Sequence, residues 1–237
     1  MKEIRDFEKW YKEVNCSKEK SEMIKFTAEL LRTPYTEYYY SIMINKNTNK
    51  FLKDTLWQRF YDHKDADIFL LNKLDNKLDT EFHGEIIYCL GKIIDQKNNN
   101  QKTTVLEYTK EFTNNSNENT REKAVIILGW IGGNEEIDLL GNILLNDTHN
   151  KCRAWASTSF MQMSFRRKIN LEKVLPYLYK SIKQEQDSFV NECIIDTLQE
   201  LTKKKFGLRK KDLDTDNTEA INNSKIKVIK YFEKLYK

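Results

Sequence analysis

At 237 residues and 28.3 kDa, with 39% hydrophobic and 12% aromatic content, the chain carries enough apolar surface to bury a core, which excludes disorder along its whole length. Only 7 glycines and 2 prolines punctuate it, too few for a sheet protein that turns every ten residues or so, and the composition predicts a nearly all-helical chain. The formal charge of +4 is unevenly placed: residues 1–199 hold 29 basic and 30 acidic side chains, and the whole excess, 11 against 6, falls in the last 38 residues.

From the N-terminus, the stretch from Met1 to Val14 is charged throughout and lacks the apolar segment of a signal peptide, and no later window reaches eighteen apolar residues. A cytoplasmic protein with no membrane segment is the expectation. Apolar residues recur at i, i+3, i+4 and i+7, with polar breaks near residues 16, 33, 46, 63, 77, 98, 115, 133, 148, 168, 186 and 206. Such a pattern predicts about a dozen amphipathic helices joined by connections short enough for antiparallel neighbours. The first four, within residues 1–62, concentrate aromatics (Trp10, Tyr39, Tyr40, Trp57 and Phe60 among them) and align poorly with the later helices, so they read as an irregular helical cap.

Residues 63–205 pair into about four hairpins. Segments beginning at His83, Arg121, Arg153 and Val190 start 38, 32 and 37 residues apart. Their fourth position is small or apolar (Ile86, Ala124, Ala156, Cys193), and their eighth is large and apolar in three of the four (Leu90, Leu128, Phe160, against Thr197). Residues 206–237 complete the chain as a basic linker and a capping helix. The run Lys203–Lys211 reads as a solvated helix end whose lysines complement the negative C-terminus of the preceding helix, with contact to a nucleic acid or an acidic partner as the alternative. Asp212, Asp214, Asp216 and Glu219 come next, at the start of the last helix, and partly neutralise it.

The stretch from Asn119 to Ala156 resembles HEAT repeats, above all the short type named after phycobilisome lyases, in which an aspartate precedes an arginine by six residues ahead of an alanine-rich helix. Asp147 and Arg153 have that spacing; Asn115 and Arg121 have it with asparagine for aspartate. The flanking units depart from it, with Lys77 and His83 in one and Gln184 and Val190 in the other. The resemblance implies an all-α, right-handed alpha-alpha superhelix. An aspartate or asparagine ahead of a helix accepts from its unpaired first-turn amides, worth about 1 kcal/mol, and Gly132–Gly133 is expected to close a helix in the left-handed conformation.

No motif for a phosphate loop, a dinucleotide fold, a serine nucleophile elbow or a zinc helix is present. His63, His83 and His149 do not pair at metal-ligand spacing, and Cys16, Cys89, Cys152 and Cys193 read as reduced core residues, so neither a metal nor another cofactor is expected. In proteins of this resemblance the second helix of each hairpin lines the concave, functional face. Positions three, six and ten of each segment form one stripe there: Glu85, Tyr88 and Lys92; Lys123, Ile126 and Trp130; Trp155, Thr158 and Gln162; Glu192, Ile195 and Gln199. A stripe mixing aromatics with both charge signs suits a protein partner, although the same apolar residues would also serve to pack repeat on repeat. The near-neutral charge of residues 1–199 argues against a nucleic-acid groove. The resemblance extends to immunity proteins, implying a non-enzymatic, monomeric chain that binds the toxin domain of a contact-dependent or polymorphic toxin system. A glycosylase-like DNA-binding protein, in which Trp130, Trp155, Arg121, Lys123, Arg153 and Arg166 to Lys168 would face the duplex, and a general scaffold remain as alternatives.

Overall fold

A computed structural model describes residues 3–96, 100–166, 169–209 and 217–236. Thirteen α-helices and two short 3-10 turns make up the regular structure of the described residues, with no strand among them. The helices pack as neighbouring hairpins, and the all-α solenoid class expected from the periodicity is what the chain adopts. Two compact units are present, residues 1–101 and 102–237, the boundary falling inside the span 63–205.

The first unit comprises α1 (Ile4–Cys16), α2 (Lys20–Leu31), α3 (Thr36–Ile44), α4 (Lys50–Phe60), α5 (Ala66–Asp75), a 3-10 turn (Thr80–Phe82) and α6 (His83–Gln96). Here α1 packs on α2, α2 and α3 on α4, and α5 and α4 on α6. Its aromatic wealth is core: Phe7, Phe26, Tyr39, Tyr40 and Phe60 are at most 1% exposed. Tyr39 shows how such a ring is accommodated, its centroid 5.0 Å from Phe60 while its hydroxyl donates to Leu56 O at 3.1 Å. Asn49 starts α4 by accepting from the amides of Phe51 and Leu52. Cys16 is exposed and Cys193 half-buried, so only Cys89 and Cys152 are the core thiols expected; Cys16 ends an amphipathic helix that turns it to solvent.

The second unit comprises α7 (Lys102–Phe112), α8 (Glu118–Ile131), a 3-10 turn (Asn134–Glu136), α9 (Ile137–Asn146), α10 (Asn150–Arg166), α11 (Leu171–Gln184), α12 (Ser188–Thr202) and α13 (Thr218–Leu235). Second helices α8, α10 and α12 lie side by side, α9 packs beside α11, α7 packs on α8, and α13 closes the end against α11 and α12. Leu128, Leu140, Phe160, Leu178, Leu198 and Phe232 are fully buried in one shared cluster, each contributing about 1.5–3 kcal/mol. No single hairpin could bury such a stripe alone.

Glycine acts here through space more than through turning. At Gly132 the chain leaves α8 with φ −70° and ψ 178°, and Gly133 comes next at φ −151°, so neither is left-handed as the sequence suggested. Gly132 closes the helix by donating to Leu128 O at 2.8 Å, and a Cβ there would stand 2.5 Å from that same oxygen. Gly141 in α9 lies flat under the ring of Tyr177 in α11, whose carbons come within 2.4–2.5 Å of where a Cβ would be.

A polar ladder runs along the unit between successive hairpins. Arg121 donates Nε and Nη2 to the two carboxylate oxygens of Asp147, both at 3.1 Å, and Nη1 back to Asn115 O at 3.0 Å. Arg153 repeats this one hairpin on, reaching the Glu185 oxygens at 2.7 and 3.1 Å and Asp147 O at 3.0 Å. The next rung is Asn191, which donates to Glu185 O. Asn115, Asp147 and Glu185 each accept from the amide two residues on, at 2.9, 2.8 and 2.9 Å, holding the loop rather than the first helical turn expected of them. Burial alone would raise the Asp147 and Glu185 carboxyls, but the arginine hydrogen bonds and these amides outweigh it and hold both below the usual range.

The ladder corrects the alignment of the last hairpin. Its six-residue pair is Glu185 and Asn191, not Gln184 and Val190, so the fourth segment begins one residue later than expected. Position four is then Ile194 and position eight Leu198, both fully buried, while Thr197, no longer at position eight, is itself buried beside them.

Candidate functional site

Helix geometry fixes what the second helices present outward. On α8 and α10 the core takes Ala124, Leu128, Ala156 and Phe160, leaving Lys123, Ile126 and Trp130, and Trp155, Thr158 and Gln162, on a half-buried stripe. Corrected by one residue, the stripe on α12 is Cys193, Asp196 and Glu200, the last of these exposed. Ile195, expected on it, is fully buried. Glu192 and Gln199 are half-buried beside it, and Gln199 is engaged internally, its amide donating to Leu208 O at 3.2 Å and accepting from Phe206 N at 2.9 Å.

The three helices are held close enough for the stripe to be continuous. Ser159 of α10 donates to Val125 O of α8 at 2.9 Å, and Ser157 donates to Cys193 O of α12 at 3.3 Å. Gly129 permits the first approach: a Cβ there would sit 2.7 Å from Ser159 Oγ and 2.4 Å from Gln162 Oε1. Trp155 lies across the α8–α10 seam with its indole N–H donating to Glu122 at 3.1 Å, which fixes the ring as a rigid, half-exposed plate. Phe189, 43% exposed on the first turn of α12, and Lys151 on α10 extend the same stripe by one turn.

Asp196 stands apart electrostatically. It forms no ion pair among the described residues, and burial together with the neighbouring charge of Glu200 pushes its carboxyl up. Cys193 is an inert thiol, raised by burial to about 12. The sequence could have pointed to Cys193, Asp196 and Glu200 through the buried run Ile194–Leu198, but a glutamate and an asparagine in the ladder positions hid the register.

In the first unit the stripe residues of α6 are Glu85, Tyr88 and Lys92, all half-buried. The Lys92 ammonium lies 5.0 Å from the Tyr61 ring centroid and 5.4 Å from that of Tyr88, a cation held between two aromatic faces. Burial raises the Tyr88 hydroxyl. Of the residues cast for a duplex-binding site, Arg121 and Arg153 spend their guanidinium groups in the ladder. Arg167 and Lys168 lie outside the described residues, as do Asp212, Asp214 and Asp216 of the C-terminal segment.

Among the described residues no group of three or more His, Cys, Asp or Glu is placed to hold a metal ion, and no helix is long and apolar enough to cross a membrane. In the second unit the pinned Trp155 and the carboxylate of Asp196, without an ion pair among the described residues, stand out on the stripe; in the first unit it is Lys92 over the rings of Tyr61 and Tyr88. No curated protein and no solved structure matches the chain. In the family comparison the model of HEAT repeats matches residues 69–160, from α5 into α10, a span that takes in α8 and the first rung of the ladder, Arg121 on Asp147, and stops short of α12.

Proposed function

We propose that this chain is a non-enzymatic protein-binding module that captures its partner on the outer stripe of its second helices. The observation carrying this reading is the half-buried stripe of Lys123, Ile126, Trp130, Trp155, Thr158 and Gln162, in which Trp155 is pinned by Glu122. Fixed aromatics lose little conformational freedom on binding and are the usual energetic centres of interfaces, with charged neighbours supplying the rim. Tyr88, Lys92 and Glu85 offer the same chemistry on the first unit, and Glu192 and Gln199 flank the stripe on the second. HEAT repeats commonly serve as interaction scaffolds, which supports the class of activity.

The finer proposal is that the partner is a toxin domain and that the chain acts in the cytoplasm as its immunity protein. Its support is the likeness of small HEAT-type proteins to immunity proteins. The test is co-purification with the product of the adjacent gene, together with co-expression to score protection. A complex with protection is the expected result; a complex without protection refutes the immunity role and leaves the binding module. Trp155→Ala with Tyr88→Ala, at unchanged helix content, should weaken the complex about 10-fold to 100-fold. Undiminished binding by that variant would remove the stripe from the reading.

A further inference from the structure

Several of the described lysines that follow Thr202 lie on one side of the second unit. Residues 203–209 are not a frayed helix end. After a left-handed Lys203 (φ 56°), Phe206 and Leu208 are 4% and 7% exposed, the Gln199 amide grips the backbone of both, and the Phe206 ring lies 5.5 Å from Tyr231 of α13. Burial of the two apolar residues lays this segment against α13 as a strap, with Lys204 and Lys205 exposed. On α13 the core takes Ile221, Ser224, Val228 and Phe232. The opposite stripe is therefore Asn223, Lys227, Lys230 and Lys234, all exposed. Glu233 falls on the neighbouring stripe with Ile226, and Glu219 stands one turn before Asn223 at the N-terminal end of the helix, so no acid lies between the lysines. Lys227 reaches over the strap, its ammonium 2.8 Å from where a Cβ of Gly207 would be.

Lys204, Lys205, Lys227, Lys230 and Lys234 have no ion pair among the described residues, and gathering them costs repulsion that an anionic partner would relieve. We infer that the strap and the outer stripe of α13 form a docking face for a nucleic-acid phosphate backbone, separate from the stripe on α8, α10 and α12. One feature favours phosphate over an acidic protein. The central stripe of the face has no aromatic or aliphatic anchor, which a protein interface needs for affinity, whereas backbone binding is almost wholly electrostatic. The ammonium groups on the stripe are borne by residues about 4.5 and 6 Å apart along the helix axis. The near-neutral charge of residues 1–199 is consistent with this, because the cationic face is confined to the end of the unit.

Binding of labelled oligothymidylate and of a labelled random-sequence duplex to the whole chain, monitored by fluorescence anisotropy, tests the inference and separates single from double strands. Five lysines predict a log–log salt slope of about −3.5 for the single strand and about −4.5 for the duplex, hence a loss of at least about 100-fold between roughly 50 and 200 mM salt. Lys227→Glu, Lys230→Glu and Lys234→Glu together should abolish binding, Lys204→Glu with Lys205→Glu should weaken it at least about 10-fold, and the three arginine replacements on α13 should retain it. Trp155→Ala should leave it unchanged. Absence of binding to both nucleic acids at low salt, indifference to either charge reversal, or tighter binding of a labelled oligoglutamate peptide would each overturn it.

Discussion

Replacing Arg153 by methionine keeps most of the stem and deletes the guanidinium that joins two hairpins. The loss is two charge-assisted hydrogen bonds to Glu185, at 2.7 and 3.1 Å, and those of Nη1 to Asp147 O at 3.0 Å and Thr148 O at 3.4 Å. The Glu185 side chain is only 8% exposed, so its charge would remain largely desolvated with the amides of Gln186 and Asp187 as its surviving donors. Removing one partner of a fully buried pair costs about 3–5 kcal/mol; with Arg153 18% exposed and two amide donors retained, about 2–3 kcal/mol is expected. Urea unfolding monitored by far-UV circular dichroism reads this as a lower midpoint at unchanged slope. Glu185→Gln and the double variant complete a cycle whose coupling should be about 1.5–3 kcal/mol. A coupling below about 0.5 kcal/mol would place the pair among ordinary surface ion pairs and refute the ladder as a stabilising element.

Three further outcomes are expected. Asp147 and Glu185 have carboxyls held below their unfolded values, so their contribution is complete above roughly pH 5 and is lost as pH falls through the folded values; the urea midpoint should drop between pH 5 and pH 3, and Asp147→Asn should flatten that drop. Gly141→Ala gains about 1 kcal/mol of helix propensity but drives a methyl into the Tyr177 ring, which its hydrogen bond to Asp138 at 3.0 Å holds in place. A net loss of stability that Tyr177→Leu partly restores is expected, and a net gain would show that the ring moves freely. Gln199→Ala removes both contacts that grip the strap and should expose Lys203–Lys205 to trypsin several-fold faster at little cost in global helix content, digestion at the parent rate being the contrary result.

Most of the fold was legible in the chain because helix formation here is a local matter. The breaks near residues 33, 46, 63 and 77 fall just beyond the ends of α2, α3, α4 and α5 at Leu31, Ile44, Phe60 and Asp75, since amphipathic spacing and polar interruptions act within one helix. The candidate stripe on α8 and α10 was equally readable: Asp147 and Arg153 mark the register, and the register sets which residues face outward. On α12 the same logic slipped by one residue, because glutamate and asparagine fill the ladder positions. That they do the same work becomes visible only when Arg153 is seen to reach across to Glu185.

From its sequence alone, this chain declares helices in series, a repeat and a charge excess at one end, all of which arise from short-range periodicity and composition. Tertiary structure decided the rest. It set the register of the last hairpin, turned Gly141 and Gly129 into points of close approach, committed Gln199 to a strap instead of a binding stripe, and collected scattered lysines onto one side of α13. These are distances between residues far apart in sequence, and a helix pattern that repeats every few residues carries no information about which neighbour it will meet.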